Sequence, residues 1–140
     1  MNIKGITIHN TGNEYTARHL FQVLKEKNQL NYCHYLIDEN EVIHTIPDYR
    51  EAIHTGKGYD FGNRFTIAVE ICRSTCNEEL YLKAQKNAIK FIKQLMKIYD
   101  LTTSDLYFHM DFNEQARCPH RILDIYGNKE DFINGNFIQG

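Results

Sequence analysis

No run of apolar residues in this 140-residue chain approaches the roughly 18 that a membrane-crossing helix requires. The opening residues, MNIKGITIHN, carry a lysine and a histidine where an export signal would carry a long apolar core. Production in the cytoplasm without a signal peptide, and no membrane insertion, are therefore expected. Charge of neither sign is in excess. The 16 basic and 18 acidic side chains give a net charge of −2, too balanced to hold nucleic acid by electrostatics. The four cysteines, Cys33, Cys72, Cys76 and Cys118, do not make a dense disulfide framework in a chain of this size, so reduced thiols are expected. Only two prolines occur, Pro47 and Pro119, both at boundary positions, and no repeat or low-complexity segment interrupts the chain. One domain is the simplest organisation, because 140 residues bury a substantial core and leave little room for a second.

What is present alternates strands with amphipathic helices. KGITIH is a short β-rich run that ends on His9 and opens into the loop NTGN. Ala17, Leu20, Phe21 and Leu24 then repeat at helical spacing, with Asn13 as N-cap and an end near Asn28. CHYLID and EVIHTI flank the turn-rich DENE and predict a hairpin with His34 and His44 on its strands. From Pro47 to Asn63 the chain is rich in glycine and poor in aliphatic residues, the composition of a long functional loop, and it holds His54. FTIAVEICR reads as a central strand, in which Glu70 must be paired or functional because an isolated carboxylate is costly to bury. Tyr81, Ala84, Ala88, Phe91, Leu95 and Ile98 predict a long helix over Glu78 to Asp100, capped by Asn77 and covering one sheet face. DLYFH is a last strand ending on His109. Pro119 starts a helix at its first position, with Cys118 just before it.

His109 and Cys118 therefore stand at the two ends of a polar loop, nine positions apart (118 − 109). If the strands ending on His9 and His109 are parallel neighbours, their imidazoles converge beside Cys118. Two histidines and a cysteine, with a fourth position left for water, is the donor set of a catalytic zinc, whereas a structural zinc normally closes its shell with four protein ligands. Of the other histidines, His19 is expected on the helix surface and His44 hydrogen-bonded on the hairpin. On chemistry alone His34, His54 and His120 stay open.

The blocks ITIHNT, HYLIDENEVIHTIP, AIHTG, NRFTIAVEIC and HMDFNEQARCPHRIL follow one another as they do in the zinc-dependent N-acetylmuramoyl-L-alanine amidases of the amidase-2 and peptidoglycan-recognition-protein family. The likeness to phage endolysins is strongest, and it covers most of the chain. The resemblance implies a single α/β catalytic domain over residues 1–140, with a central mixed β-sheet flanked by helices, able to stand alone or as a fragment of a longer endolysin. It implies a zinc ion held by His9, His109 and Cys118, and Glu70 as the catalytic carboxylate. It places His54 against the substrate, with His34, Arg117 and His120 as further substrate-side candidates. It implies a monomer acting on peptidoglycan, glycan strand and stem peptide together, after release to the cell wall. One departure stands out. Many members carry a lysine two residues before the zinc-binding cysteine, and this chain has Ala116 there; Ala68 likewise replaces a frequent glycine. The alternative from another class is a non-catalytic peptidoglycan-binding module of the same fold, which typically lacks the cysteine. A glycosidase would need two carboxylates about 5 to 9.5 Å apart, for which only Asp111 offers itself as a partner to Glu70.

Overall fold

Strands β1 (Gly5–Asn10), β2 (Tyr35–Ile37), β3 (Val42–His44), β4 (Thr66–Ile71) and β5 (Leu106–Phe108) form one sheet in the order β3-β2-β4-β1-β5 in the computed structural model, which describes residues 2–56 and 60–138. Only the β2–β3 hairpin is antiparallel; β2–β4, β4–β1 and β1–β5 are parallel, so the sheet is mixed. Helices α1 (Ala17–Glu26), α2 (Phe61–Phe65), α3 (Glu78–Ile98), α4 (His120–Tyr126) and α5 (Lys129–Asn136) surround it.

Alternation along the strands gives the two faces different tasks. Ile6, Ile8, Ile67, Val69, Ile71, Leu106 and Phe108 point to one side. There they pack on the apolar stripe of α3 (Tyr81, Ala84, Ala88, Ile92 and Leu95) and on Ile122 and Phe132 of α4 and α5. Gly5, Thr7 and His9 of β1, and their register partners Thr66, Ala68 and Glu70 of β4, point to the other side. Helix α1 covers only the β2–β4 part of this second face, where Ala17, Leu20 and Leu24 pack on Leu36, Ala68 and Ile43. The remainder, over β1 and β5, is left to the polar groups of the site.

Short α2 lies against that remainder. Thr66 Oγ1 donates to the Gly62 carbonyl at 2.7 Å and is itself 2.7 Å from Thr7 Oγ1, which fastens the helix to the middle of β1. Gly62 has to be glycine here, since a Cβ would come within 2.3 Å of Thr55 Oγ1.

Several element ends differ from the sequence expectation, each for a local hydrogen-bonding reason. The cap of α1 is Thr16, whose hydroxyl accepts from His19 N at 2.9 Å; Asn13 instead accepts from Tyr15 N and closes a turn before the helix. That helix stops at Glu26, and the chain reverses through Asn28 at φ 56°. His34 lies just before β2 rather than on it, and His109 opens a tight helical turn directly after β5. Pro119 is the cap residue of α4, not its first helical residue. The Pro47–Asn63 segment is not wholly loop, because Asp60 caps α2 by accepting from Asn63 N; its residues 57–59 lie outside the described part. Helix α5 had no counterpart in the sequence reading. Asn77 caps α3 as expected.

One side chain links the sheet to the loop that carries Cys118. Helix α4 has no side-chain cap of its own. Asn10, the last residue of β1, supplies one from across space: its Oδ1 accepts from Arg121 N at 2.9 Å and Ile122 N at 3.1 Å, and its Nδ2 donates to the Tyr81 hydroxyl of α3. Two first-turn N–H groups that no carbonyl can reach are satisfied in this way. Asn10→Ala is expected to destabilise the fold by about 2–3 kcal/mol by leaving these groups buried without a partner. A denaturant melt with an unchanged midpoint would contradict the assignment.

Candidate metal centre

His9 and Glu70 are register partners at the C-terminal ends of β1 and β4, so their side chains share the open part of the second face. Helical turn 109–111 follows β5, the other neighbour of β1, and brings the His109 ring to 4.9 Å from the His9 ring. Cys118 joins them because its carbonyl accepts from Met110 N at 3.1 Å while Asn10 holds the helix that follows. One donor atom from each of His9, His109 and Cys118 lies within 4.8 Å of the others. This is the trio expected from the sequence.

The donor atom of His9 follows from its surroundings. His54 Nε2 is 3.0 Å from the Gly62 carbonyl, which can only accept, so Nε2 carries the His54 proton. His54 Nδ1 is then an acceptor, and it lies 2.9 Å from His9 Nε2, which must donate. His9 Nδ1 is left with its lone pair free, 3.7 Å from Cys118 Sγ and 3.6 Å from Glu70 Oε2. An edge between nitrogen and sulfur ligands of a tetrahedral zinc, with bonds of about 2.05 and 2.3 Å, is about 3.6 Å long. The distance between His9 Nδ1 and Cys118 Sγ fits that edge, and two nitrogens and a sulfur are ligands zinc accepts.

Burial sets the electrostatics. His9, only 1% exposed, is held well below the usual imidazole pKa by loss of solvent and then by its neighbours His54 and His109. The same loss of solvent lowers His54 to about 3 and lowers His109. All three rings are therefore neutral and able to act as ligands or acceptors at neutral pH. Without a cation the Cys118 thiol is pushed up to about 12, by burial first and by Glu70 second. A bound divalent ion would reverse this, releasing the proton on coordination.

Glu70 is fully buried, and burial pushes its carboxyl up to about 8. Neither carboxylate oxygen has a hydrogen-bond partner among the described residues. An orphaned carboxyl inside a fold is costly, and such groups mark functional sites. The Tyr32 phenol faces it without closing a hydrogen bond and opposes the upward shift. Tyr32 also lines an open groove of about 380 Å³ running from Thr11 past Asn13, Lys27 and Gln29. Sequence reasoning missed Tyr32, which sits in the 3-10 turn Leu30–Tyr32, too short for a periodic signal, and Asn10, whose side-chain partners are more than 70 residues away.

The structure distributes the four substrate-side candidates differently. His54 is 6% exposed, with one nitrogen on Gly62 and the other on His9, so both its nitrogens are occupied. His34 is fully buried: Nδ1 accepts from Ala68 N at 2.9 Å and Nε2 donates to the Arg50 carbonyl at 2.6 Å, tying the 45–50 segment to β4. Arg117 is turned outward to Asp124 at 2.6 Å. His120 lies beside the centre with Nε2 3.0 Å from Ser74 Oγ. Since the Ser74 hydroxyl donates to the Thr11 carbonyl, the His120 nitrogen is the donor of that pair. Asp111 is no second catalytic carboxylate: it accepts from Phe108 N and pairs with Lys129 at 2.7 Å. His19 is exposed, and His44 is hydrogen-bonded to Asp48, both as expected.

No helix among the described residues is long and apolar enough to cross a membrane. Comparison with known proteins agrees with the geometry. CwlA of Bacillus subtilis (strain 168), named an N-acetylmuramoyl-L-alanine amidase, is 40% identical over 124 residues, 88% of this chain and 45% of that protein. XlyB of the same organism, of the same named activity, is 37% identical over 88% of this chain and 39% of its own length. The chain thus spans less than half the length of these curated relatives. The structure of PlyL superposes with a TM-score of 0.87 at 34% identity, covering 96% of this chain and 83% of that one. The PlyG catalytic domain gives 0.87 at 34% identity over 99% and 86%. Residues 1–121 match the amidase-2 family, described as N-acetylmuramoyl-L-alanine amidase, and the chain belongs to that family.

Proposed function

We propose that this chain is a zinc-dependent amidase that hydrolyses the bond between N-acetylmuramic acid and the L-alanine of the stem peptide in bacterial peptidoglycan. The observation that carries this reading is the pairing of Glu70, buried with both oxygens unpartnered, with the trio of His9, His109 and Cys118 directly beside it. A module that only binds has no use for such a costly carboxylate.

His9, through Nδ1, His109 and Cys118 would hold the ion. Zinc, when bound there, supplies a Lewis acid that acidifies water and polarises a carbonyl. Glu70 takes a proton from the attacking water and returns it to the leaving amine of alanine, a role suited to a carboxylate made more basic by desolvation. His54 fixes the tautomer of His9 and so the direction of its lone pair. The substrate reaches the centre along the open part of the second sheet face, and the groove beside Tyr32 offers one flank for it.

Three substitutions test the parts separately. Glu70→Gln keeps the zinc and removes most of the rate, at least about 100-fold, because the amide cannot accept a proton. It also changes stability in a direction set by the raised pKa. A carboxyl whose pKa rises on folding favours the fold below its unfolded value and withdraws that support as pH climbs toward its folded value, here about 8. Zinc-free Glu70→Gln is therefore expected to exceed the zinc-free parent by on the order of a few kcal/mol at pH 8, with most of the gain gone at pH 5. Near-parental turnover, or a gain that does not vary with pH, would sink the role of Glu70. His54→Ala should lower zinc affinity by about 10–100-fold in competition with a chromophoric chelator, and unchanged affinity would show that His9 needs no orientation. Cys118→Ser should lose zinc and hydrolysis together, since a serine hydroxyl is a poor ligand. In a digest of purified peptidoglycan the parent yields new alanine amino termini and the variant none. New reducing sugar ends instead would mean a glycosidase, and no new ends of either kind from the zinc-loaded parent would mean a binding module.

A further inference from the structure

Phe61, Tyr107 and Phe112 form an aromatic cluster on segments adjoining the site residues and take no part in the chemistry above. The Phe61 ring centroid lies 5.6 Å from that of Tyr107 and 6.0 Å from that of Phe112, and Tyr107 and Phe112 are 5.2 Å apart. Each ring hangs from a segment that also carries a site group. Tyr107 precedes His109 by two residues, Phe112 donates its backbone N–H to the His109 carbonyl at 3.0 Å, and Phe61 adjoins Gly62, whose carbonyl orients His54. Tyr107 pairs with Thr7, so its ring lies on the sheet face that bears His9. It rests against Gly5, where a Cβ would come within 2.7 Å of the ring. The cluster is therefore fixed to the segments that carry His109 and Gly62, on the β5 side of the same sheet face.

The two flanks of the site differ in chemistry. The groove on the α1 side mixes Asn13, Lys27 and Gln29, groups that can hydrogen-bond a peptide, with Tyr15, Tyr32 and aliphatic side chains of α1. The β5 flank offers flat apolar faces. Phe61 keeps 36% of its surface exposed, although three other aromatic rings lie within 6.0 Å of it, Phe65 being the third. A muramoyl-alanine amide joins a sugar to a peptide, so a site that cuts it must receive a saccharide on one side and a peptide on the other. Pyranose rings present a face of C–H groups that packs on an aromatic ring, whereas a polar peptide backbone gains nothing from such a surface.

We propose that Phe61 and Phe112, backed by Tyr107, form a stacking subsite for the sugar rings of the glycan strand, leaving the stem peptide to the opposite flank. The assignment rests on the amidase reading, and the test separates the two. The sequence contains no tryptophan, so Phe61→Trp places a lone indole reporter at the subsite. Titration of that zinc-loaded variant with a peptide-free tetrasaccharide of alternating N-acetylglucosamine and N-acetylmuramic acid should change its emission saturably. An alanine-led stem peptide without sugar should leave the emission unchanged. Adding Phe112→Ala should weaken the tetrasaccharide affinity by about 10-fold, the equivalent of about 1.4 kcal/mol. In turnover, Phe61→Ala should raise KM about 10-fold for a tetrasaccharide bearing the stem peptide, and by about 2-fold or less for a muramoyl peptide with one sugar. Emission that ignores the tetrasaccharide, emission that follows the peptide instead, or a KM rise equal for both substrates would each overturn the subsite. Failure of the parent to release alanine amino termini would overturn the amidase reading instead, and the emission titration would still decide whether sugars bind here.

Discussion

The Gly62 carbonyl, held by Thr66, can only accept from His54 Nε2, and this hydrogen bond decides which nitrogen of His9 keeps a free lone pair. A neutral imidazole has one donor and one acceptor, so fixing either fixes both. The constraint passes from Gly62 to His54 and on to His9 without an alternative, because all the groups involved are buried and water cannot substitute for a partner. Burial also keeps the rings neutral, and protonation of His54 at Nδ1 would put two donors face to face across 2.9 Å.

The fold serves this relay by leaving one part of the sheet uncovered. On the α3 face an apolar stripe meets an apolar sheet and little else is possible. On the other face α1 stops short, and short α2, clamped through Thr66 and Thr7, brings the Gly62 carbonyl into position. Asn10 then does for the thiol what Gly62 does for the imidazole: by satisfying the start of α4 it places Cys118, whose own carbonyl holds the turn bearing His109. The three donors come from two segments, with His109 and Cys118 nine residues apart (118 − 109) and His9 100 residues before His109 (109 − 9), yet two hydrogen-bond relays bind them into one rigid unit.

The sequence carried much of this. His9, His109, Cys118 and Glu70 were legible because strand ends and an apolar strand make polar residues conspicuous, and ordered motif blocks reinforced each position. The sheet, the hairpin and the long α3 were legible because alternation and helical spacing report burial directly. Hydrogen-bond partners were not legible. Thr16 and Asn13 are both good caps by type, and only the path of the chain decides that Asn13 closes a turn while Thr16 starts the helix. The nitrogens of His34 and His54 are taken up by backbone groups and by His9, partners that no local pattern announces. Arg117, a plausible stand-in for the lysine missing at Ala116, is drawn outward by Asp124 one helix turn into α4. Tyr32, in a three-residue 3-10 turn, has no periodicity to reveal that it faces Glu70.

The tautomer of His9 tests the account at its centre. Long-range 15N–1H correlation spectra of the zinc-loaded protein, with His9 assigned by substitution, report which ring nitrogen carries hydrogen and which binds the metal. The relay from Gly62 through His54 predicts a proton on His9 Nε2 and a metal-shifted Nδ1 resonance. A proton on His9 Nδ1, with the metal at Nε2, would contradict it.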